Sequence, residues 1–177
     1  MTENIVNDLK IRKLKDVRVL TRGNWRNFSG HADTYNREGD RNFTISIPQD
    51  VAEEMISEGW DIRVREPKSE EYDTEYTLKI RLKYHDYNGN PMRNQPVVYF
   101  VQDGHRRMVE EDEVSVLDHA SIGSADLVIR QYPYNFGGRS GVSTSLVIGY
   151  FKLVTSDFDD PFEDEYLDDS EIPFDAE

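Results

Sequence analysis

The stretch Tyr76-Thr77-Leu78-Lys79-Ile80-Arg81-Leu82-Lys83-Tyr84 decides the fold. Side chains alternate faces along an extended strand and do not along a helix. Tyr76, Leu78, Ile80, Leu82 and Tyr84 therefore share one face, and Thr77, Lys79, Arg81 and Lys83 share the other. The first face suits a core. The second carries a row of cations spaced at about 7 Å. Such a row also serves as an ordinary solvated sheet face, so its meaning depends on what surrounds it.

Outward from this strand the same period recurs. Residues 41–47 set Phe43, Ile45 and Ile47 against Asn42, Thr44 and Ser46, and Val17 and Val19 alternate with Arg18 and Leu20. Pro48 stops the strand before it. Residues 49–58 then place Val51, Ala52, Met55 and Ile56 at helical spacing, with Gly59 where a left-handed C-terminal cap is needed, which predicts one short amphipathic helix. Residues 61–65 read as a strand and 67–75 as an acidic loop. Asn88-Gly89 is the strongest hairpin signal, lengthened by Pro91 and Pro96, with 97–102 as the returning strand. Asp103-Gly104 marks a second turn, 110–120 reads as loop or short helix, and 126–134 and 144–154 read as strands joined by a flexible connection over 135–141. Turn signals at about every ten residues predict a mainly β fold. A mostly antiparallel sheet closed into a barrel or sandwich is expected, and an OB-fold-like antiparallel barrel with one short helix and long loops is among the compatible forms. No repeat of 20 to 50 residues is present, which disfavours solenoids and propellers.

The chain has 177 residues, enough for one core with appendages. Only 37% of residues are apolar and 32% are charged, so no run approaches the roughly 18 to 20 apolar residues of a membrane span. Residues 1–15 scatter charge and lack the apolar centre of a secretory signal. Zero cysteines excludes disulfides, thiolate metal sites and cysteine nucleophiles and fits a reducing cytoplasm. The net charge of -14 would argue against a nucleic-acid partner, but its location reverses that inference. Residues 157–177 hold 11 of the 35 acids and no Lys or Arg, leaving 24 acids against 21 bases in the rest. The expected organisation is an N-terminal extension over 1–15, a barrel over 16–156 and a solvated, disordered acidic tail over 157–177.

Catalysis finds little support, and no enzyme, metal or cofactor is expected. His31, His85, His105 and His119 are isolated, the Glu110-Glu111-Asp112-Glu113 run reads as a solvated loop, and the Gly137–Gly141 segment lacks a phosphate-cradle pattern. Aromatic and cationic residues are interleaved instead. One cluster contains Arg22, Trp25, Arg26 and Phe28, with Tyr35, Arg37 and Arg41 close behind. A second has Tyr84, Tyr87 and Tyr99 near Arg106 and Arg107, and a third runs Arg130, Tyr132, Tyr134, Phe136 and Arg139. Bases stack on rings while Arg and Lys take phosphates, so such interleaving suits an unpaired nucleic-acid strand. Taken singly, each aromatic reads equally well as a core or loop anchor.

The tail carries apolar residues that acidic disorder does not require. Asp159-Asp160-Pro161-Phe162 and Asp168-Asp169-Ser170-Glu171-Ile172-Pro173-Phe174 are two acidic Pro-Phe units. Here the chain resembles the single-stranded DNA-binding proteins of bacteria and tailed bacteriophages. The body resembles the phage branch through Phe28-Ser29-Gly30, Tyr35-Asn36, Gly39, Arg41-Asn42-Phe43, Ile122-Gly123-Ser124 and Gly141-Val142-Ser143. It departs from the bacterial pattern in that Asp175-Ala176-Glu177 follow Phe174.

The resemblance implies an OB-fold body that coats single-stranded DNA in replication and recombination. It also implies a tail that recruits replication and recombination proteins through Phe162, Ile172, Pro173 and Phe174 and competes with DNA for the groove. The expected DNA-binding residues are Arg22, Trp25, Arg26, Phe28, Tyr35, Arg37, Lys79, Arg81, Lys83, Tyr84, Tyr99, Arg106, Arg107, Arg130, Tyr132, Tyr134 and Arg139. Two other readings stand beside it. One is a virion structural or adaptor barrel; the other is an acidic nucleic-acid mimic, which the nearly balanced body disfavours.

Overall fold

The alternation over residues 76–84 is realised as an eight-residue strand of a curved sheet. The structure, a computed structural model, describes residues 9–21, 25–34, 36–86 and 88–154, with only the backbone of Phe136. Among these residues the order is β1 (Ile11–Val19), β2 (Arg26–Asn27), β3 (Arg41–Ser46), α1 (Gln49–Ser57), β4 (Arg63–Arg65), β5 (Glu75–Leu82), β6 (Val97–Gln102), β7 (His105–Val109), a 3-10 helix (Glu111–Asp118), β8 (Ile122–Phe136) and β9 (Arg139–Leu153). The first strand begins at Ile11, so the segment expected as an extension overlaps the sheet from that residue on.

Five strands form a ring. β5 pairs with β3, β3 with β1, β1 with β8 and β8 with β9, all antiparallel, and β9 returns to β5 in parallel. Numbered within the ring, this is the 1-2-3-5-4 order of an OB-fold Greek-key barrel. Closure is uneven. The join between β5 and β9 is the one register pair Arg81↔Ser145. Leu78, Ile80 and Leu82 point inward as read, meeting Phe43 and Ile45 of β3 and Leu127 and Ile129 of β8 in one buried cluster. At its centre Phe28 stacks on Phe43 with ring centres 5.0 Å apart, and Phe151 meets both edge-on.

Helix α1 lies where the period predicted it. Ala52 and Met55 are its buried residues, and Gly59, at φ +93°, supplies the left-handed residue after the last turn. Arg12 ties the helix to β1 through Glu54 at 2.8 Å and Glu58 at 3.2 Å.

Two sequence expectations are corrected. Asn88-Gly89 does not join β5 to β6. Its hairpin is local, with His85 bridging Pro91 and the Met92 amide donating to the Tyr84 carbonyl at 2.8 Å. β6 pairs instead in parallel with β9. The reason lies on β5, whose second edge is already shared between β4 at Glu75–Thr77 and β9 at Arg81. The 135–141 connection is not a flexible loop but the end of a long hairpin, whose pairing runs to Phe136↔Arg139 around Gly137 and Gly138. Both glycines hold positive φ, the backbone state a two-residue turn demands. Finally, residues 105–109, given no element in the sequence reading, form β7, which pairs with β6 across Asp103-Gly104. The segment left open between loop and helix is the 3-10 helix, begun by a reciprocal Glu110–Glu113 capping box.

Candidate nucleic-acid interface

In an OB barrel the face of the second and third strands, with the loops after the first and fourth, forms the ligand groove. Those elements here are β3, β5, the 20–40 loop and the β8–β9 hairpin. A groove of about 850 Å³ opens between them.

The loop wall is built on asparagines, Asn27 and Asn42 buried and Asn36 half-buried. Asn27 accepts from the Gly30 amide at 2.9 Å. Asn36 donates to the carbonyls of His31, Arg37 and Asp40, each at 3.0 Å, and accepts from Asn42 at 2.8 Å. These bonds replace the water that loop carbonyls would otherwise need, and they fix Arg37, Asp40 and Arg41 at the groove's rim. The floor is the outer face of β5, Lys79 and Arg81, with Lys83 just beyond the strand's end. The far wall is Tyr132, Tyr134, Ser143 and Thr144 of the hairpin, and Arg63 of β4 closes one end.

Charges in the groove are mixed but not evenly engaged. Arg81 is ion-paired to Asp40, and Arg41 to Glu111 at 3.3 Å. Burial opposes the charge on Arg81, but the hydrogen bond and charge of Asp40 outweigh it and hold the pKa above its ordinary value. Lys79, Lys83 and Arg63 form no ion pair among the described residues. Burial, helped by the adjacent charges of Arg81 and Arg63, pushes the Lys79 pKa below that of an ordinary lysine. A half-buried cation that repels its cationic neighbours is stabilised by an incoming anion. Lys83 lies over the Tyr132 ring at 4.1 Å.

Seven of the expected site residues meet in this groove: Arg37, Lys79, Arg81, Lys83, Tyr84, Tyr132 and Tyr134. Tyr84 belongs more to the core. It is 5% exposed, its hydroxyl has no partner among the described residues, and burial pushes its pKa up to about 12. The sequence reading missed Arg63 and, though it placed Arg41 in the first aromatic–cationic cluster, left it out of the expected DNA-binding residues. Arg63 reaches the groove through the pairing of β4 with β5, Arg63↔Thr77, a register that no local pattern announces.

Other expected residues stand elsewhere. Phe28 is fully buried against Phe43 and Phe151, so it is a core residue and offers no ring face to a base. Arg26 is spent on structure, donating to the carbonyls of Leu117 at 2.9 Å and Ala120 at 2.8 Å, which pins the 3-10 helix to β2. Trp25 is half-exposed outside the groove, with the Arg65 guanidinium 5.8 Å from its ring. Tyr99 stacks on Tyr150 at 4.8 Å under Arg106, and Arg107 pairs with Glu113 at 2.8 Å; none of these lines the groove. Arg130 lies on β8 between Ile11 and Ser145 with its Nε buried, and Arg139 is exposed beside the hairpin turn. Arg22, Tyr35, Phe162, Ile172, Pro173 and Phe174 lie outside the described residues.

Residues 1–176 match the family model described as "Putative phage ssDNA-binding domain". The chain belongs to this family. Among solved structures, the chain is similar in fold to the single-stranded DNA-binding protein from bacteriophage Enc34 in complex with ssDNA. The chain is 12% identical to it, with 84% of this chain and 89% of that chain covered and a TM-score of 0.52. The C-terminal truncation of the same phage protein is 14% identical over 84% of this chain and 88% of that chain, also at 0.52. At such identities the likeness shows the OB-type fold alone. No curated protein matches the chain. Among the described residues no helix is long and apolar enough to cross a membrane, and no three His, Asp or Glu side chains gather as a metal site.

Proposed function

We propose that this member of the phage ssDNA-binding family holds single-stranded DNA in the groove between the 20–40 loop and the β8–β9 hairpin, as a non-enzymatic coat for strands exposed in phage replication and recombination. The observation that carries the reading is the company of Lys79, Lys83 and Arg63, unpaired among the described residues, with Tyr132 and Tyr134 on the facing wall. The cations take phosphates and the rings take bases, and neither contact reads sequence. Arg81 and Arg41, held by Asp40 and Glu111, set the groove's shape and contribute field rather than free donors.

The acidic segment 157–177 fits a second role in the same reading. Its charge makes it an intramolecular competitor for the groove at high effective concentration, and Phe162, Ile172 and Phe174 are anchors for replication and recombination partners. Deleting residues 157–177 is expected to tighten single-strand binding at low salt, most strongly where screening is weakest. Weaker or unchanged binding by the shortened chain would count against that competition.

The test of the main reading is fluorescence anisotropy with a labelled oligothymidine and a duplex of equal length, across a salt series. Saturable binding to the single strand is expected, weakening with salt at a log–log slope of about -0.7 per phosphate neutralised. No binding at low salt, or equal binding to duplex, would overturn it.

A further inference from the structure

A second basic cleft, of about 400 Å³, lies on β1 between residues 12–18 and 46–51. It exists because β1 bulges. Asp16 sits at φ +52°, the register with β8 jumps between Leu14 and Val17, and β1 pairs with β3 only at Arg18 and Val19. The gap left beside the end of β3 is floored by Ile47 and Val51 and rimmed by Lys13, Lys15 and Arg18, all three exposed. The carboxylate within this rim is already engaged, since Asp16 takes Lys152 at 2.7 Å. Lys13 and Arg18 have no acidic partner among the described residues.

The cleft and the groove share one sheet surface. Register pairs run Arg63↔Thr77, Thr77↔Ser46 and Ser46↔Arg18 across four adjacent strands. Paired residues project to the same side of a sheet. Arg63 lines the groove at one end of this row, and Ser46 and Arg18 line the cleft at the other. The two ends are about 14 Å apart at the strand spacing of a sheet.

We infer that the bound single strand does not end at Arg63 but continues over β5 and β3 to a phosphate-binding extension formed by Lys13, Lys15 and Arg18. The inference rests on the groove reading above. It makes the site longer than the groove and gives β1 a role as a sequence-independent electrostatic rail.

The test compares the full chain with its Lys13→Gln/Lys15→Gln/Arg18→Gln variant on oligothymidines of about 6 and about 16 nucleotides, near the two ends of the range of site sizes for one OB fold. Lys68→Gln, on the loop between β4 and β5, is the control for general loss of charge. The triple variant is expected to bind the short oligomer like the parent and the long one about tenfold more weakly at 50 mM salt, with a salt slope shallower by about 2. Unchanged affinity and slope on the long oligomer would overturn the extension while leaving the groove reading intact. An equal loss at both lengths would also overturn it and point to an acidic protein segment as the occupant of the cleft. Failure of the parent chain to bind either oligomer is a different result, and it would remove the groove reading itself.

Discussion

Lys83 Nζ stands 4.1 Å from the centre of the Tyr132 ring, a cation from the groove's floor laid on an aromatic from its wall. The contact covers one ring face and presets the orientation of the other. It also restrains the lysine, so less side-chain freedom remains to be lost when a ligand arrives.

Replacing Tyr132 by Ala removes that platform. Single-strand affinity is expected to fall by about 1–3 kcal/mol, the usual loss for one stacked base, while Tyr132→Phe keeps it within about twofold. Anisotropy titration at 0.1 M salt, with thermal melts to confirm folding, decides the matter. An alanine variant that binds like the parent would take Tyr132 out of the site.

Lys79 makes binding sensitive to alkaline pH. Burial first, then the charge of Arg81, lowers its pKa, so the folded protein gives up this proton below the ordinary lysine value of 10.5. Stability therefore rises as pH climbs through the lowered value towards 10.5, because the unfolded chain still binds the proton over that window. Affinity runs the other way, since a phosphate favours the charged form. Between neutrality and pH 10.5, affinity should drop faster for the parent than for Lys79→Arg, which stays charged throughout. Parallel curves for the two proteins would remove Lys79 from the phosphate contacts.

Tyr84→Phe separates groove from core. The hydroxyl is buried without a partner among the described residues, so deleting it is expected to leave stability unchanged or raise it by about 1 kcal/mol. Single-strand affinity should stay within about twofold. Urea denaturation and anisotropy measure the two quantities, and a tenfold loss of affinity at unchanged stability would restore Tyr84 to the interface.

Phe28→Ala should fail for a different reason. Emptying the centre of the Phe28–Phe43–Phe151 cluster is expected to cost about 3–5 kcal/mol, a large share of the about 5–15 kcal/mol that holds a domain together. Binding should then track the folded fraction in urea, with no separate loss. Weakened binding by a fully folded variant would contradict the core assignment.

The contrast between Phe28 and Lys79 shows what the sequence could reveal. The row Lys79, Arg81, Lys83 was legible because alternation fixes faces locally, and β5 needed no other strand to be read. Phe28 misled because its neighbours Asn27 and Ser29 are polar. Those neighbours are polar for loop-building reasons, Asn27 capping the Gly30 and His31 amides and the Asp118 carboxylate accepting from the Phe28 and Ser29 amides. Arg26 looked like a phosphate ligand because its carbonyl partners lie 91 and 94 residues away. Tyr99 was misplaced for a topological reason. Its strand joins β9 in parallel, and parallel pairing leaves no turn in the sequence to betray it. The barrel class, the helix at 49–57 and the floor of the groove were thus local information; the groove's ends and the spare aromatics were matters of register.

Arg81 has a double position. Its side chain stands in the groove, and its backbone forms, among the described residues, the one register pair that joins β5 to β9 and closes the ring. This narrow join of the ring therefore runs along the groove. A ligand reaching from the β3–β5 floor to the hairpin wall would act as a suture across that join. If the proposed groove holds the strand, loosening of the hairpin and release of the strand would be mechanically linked through this one join.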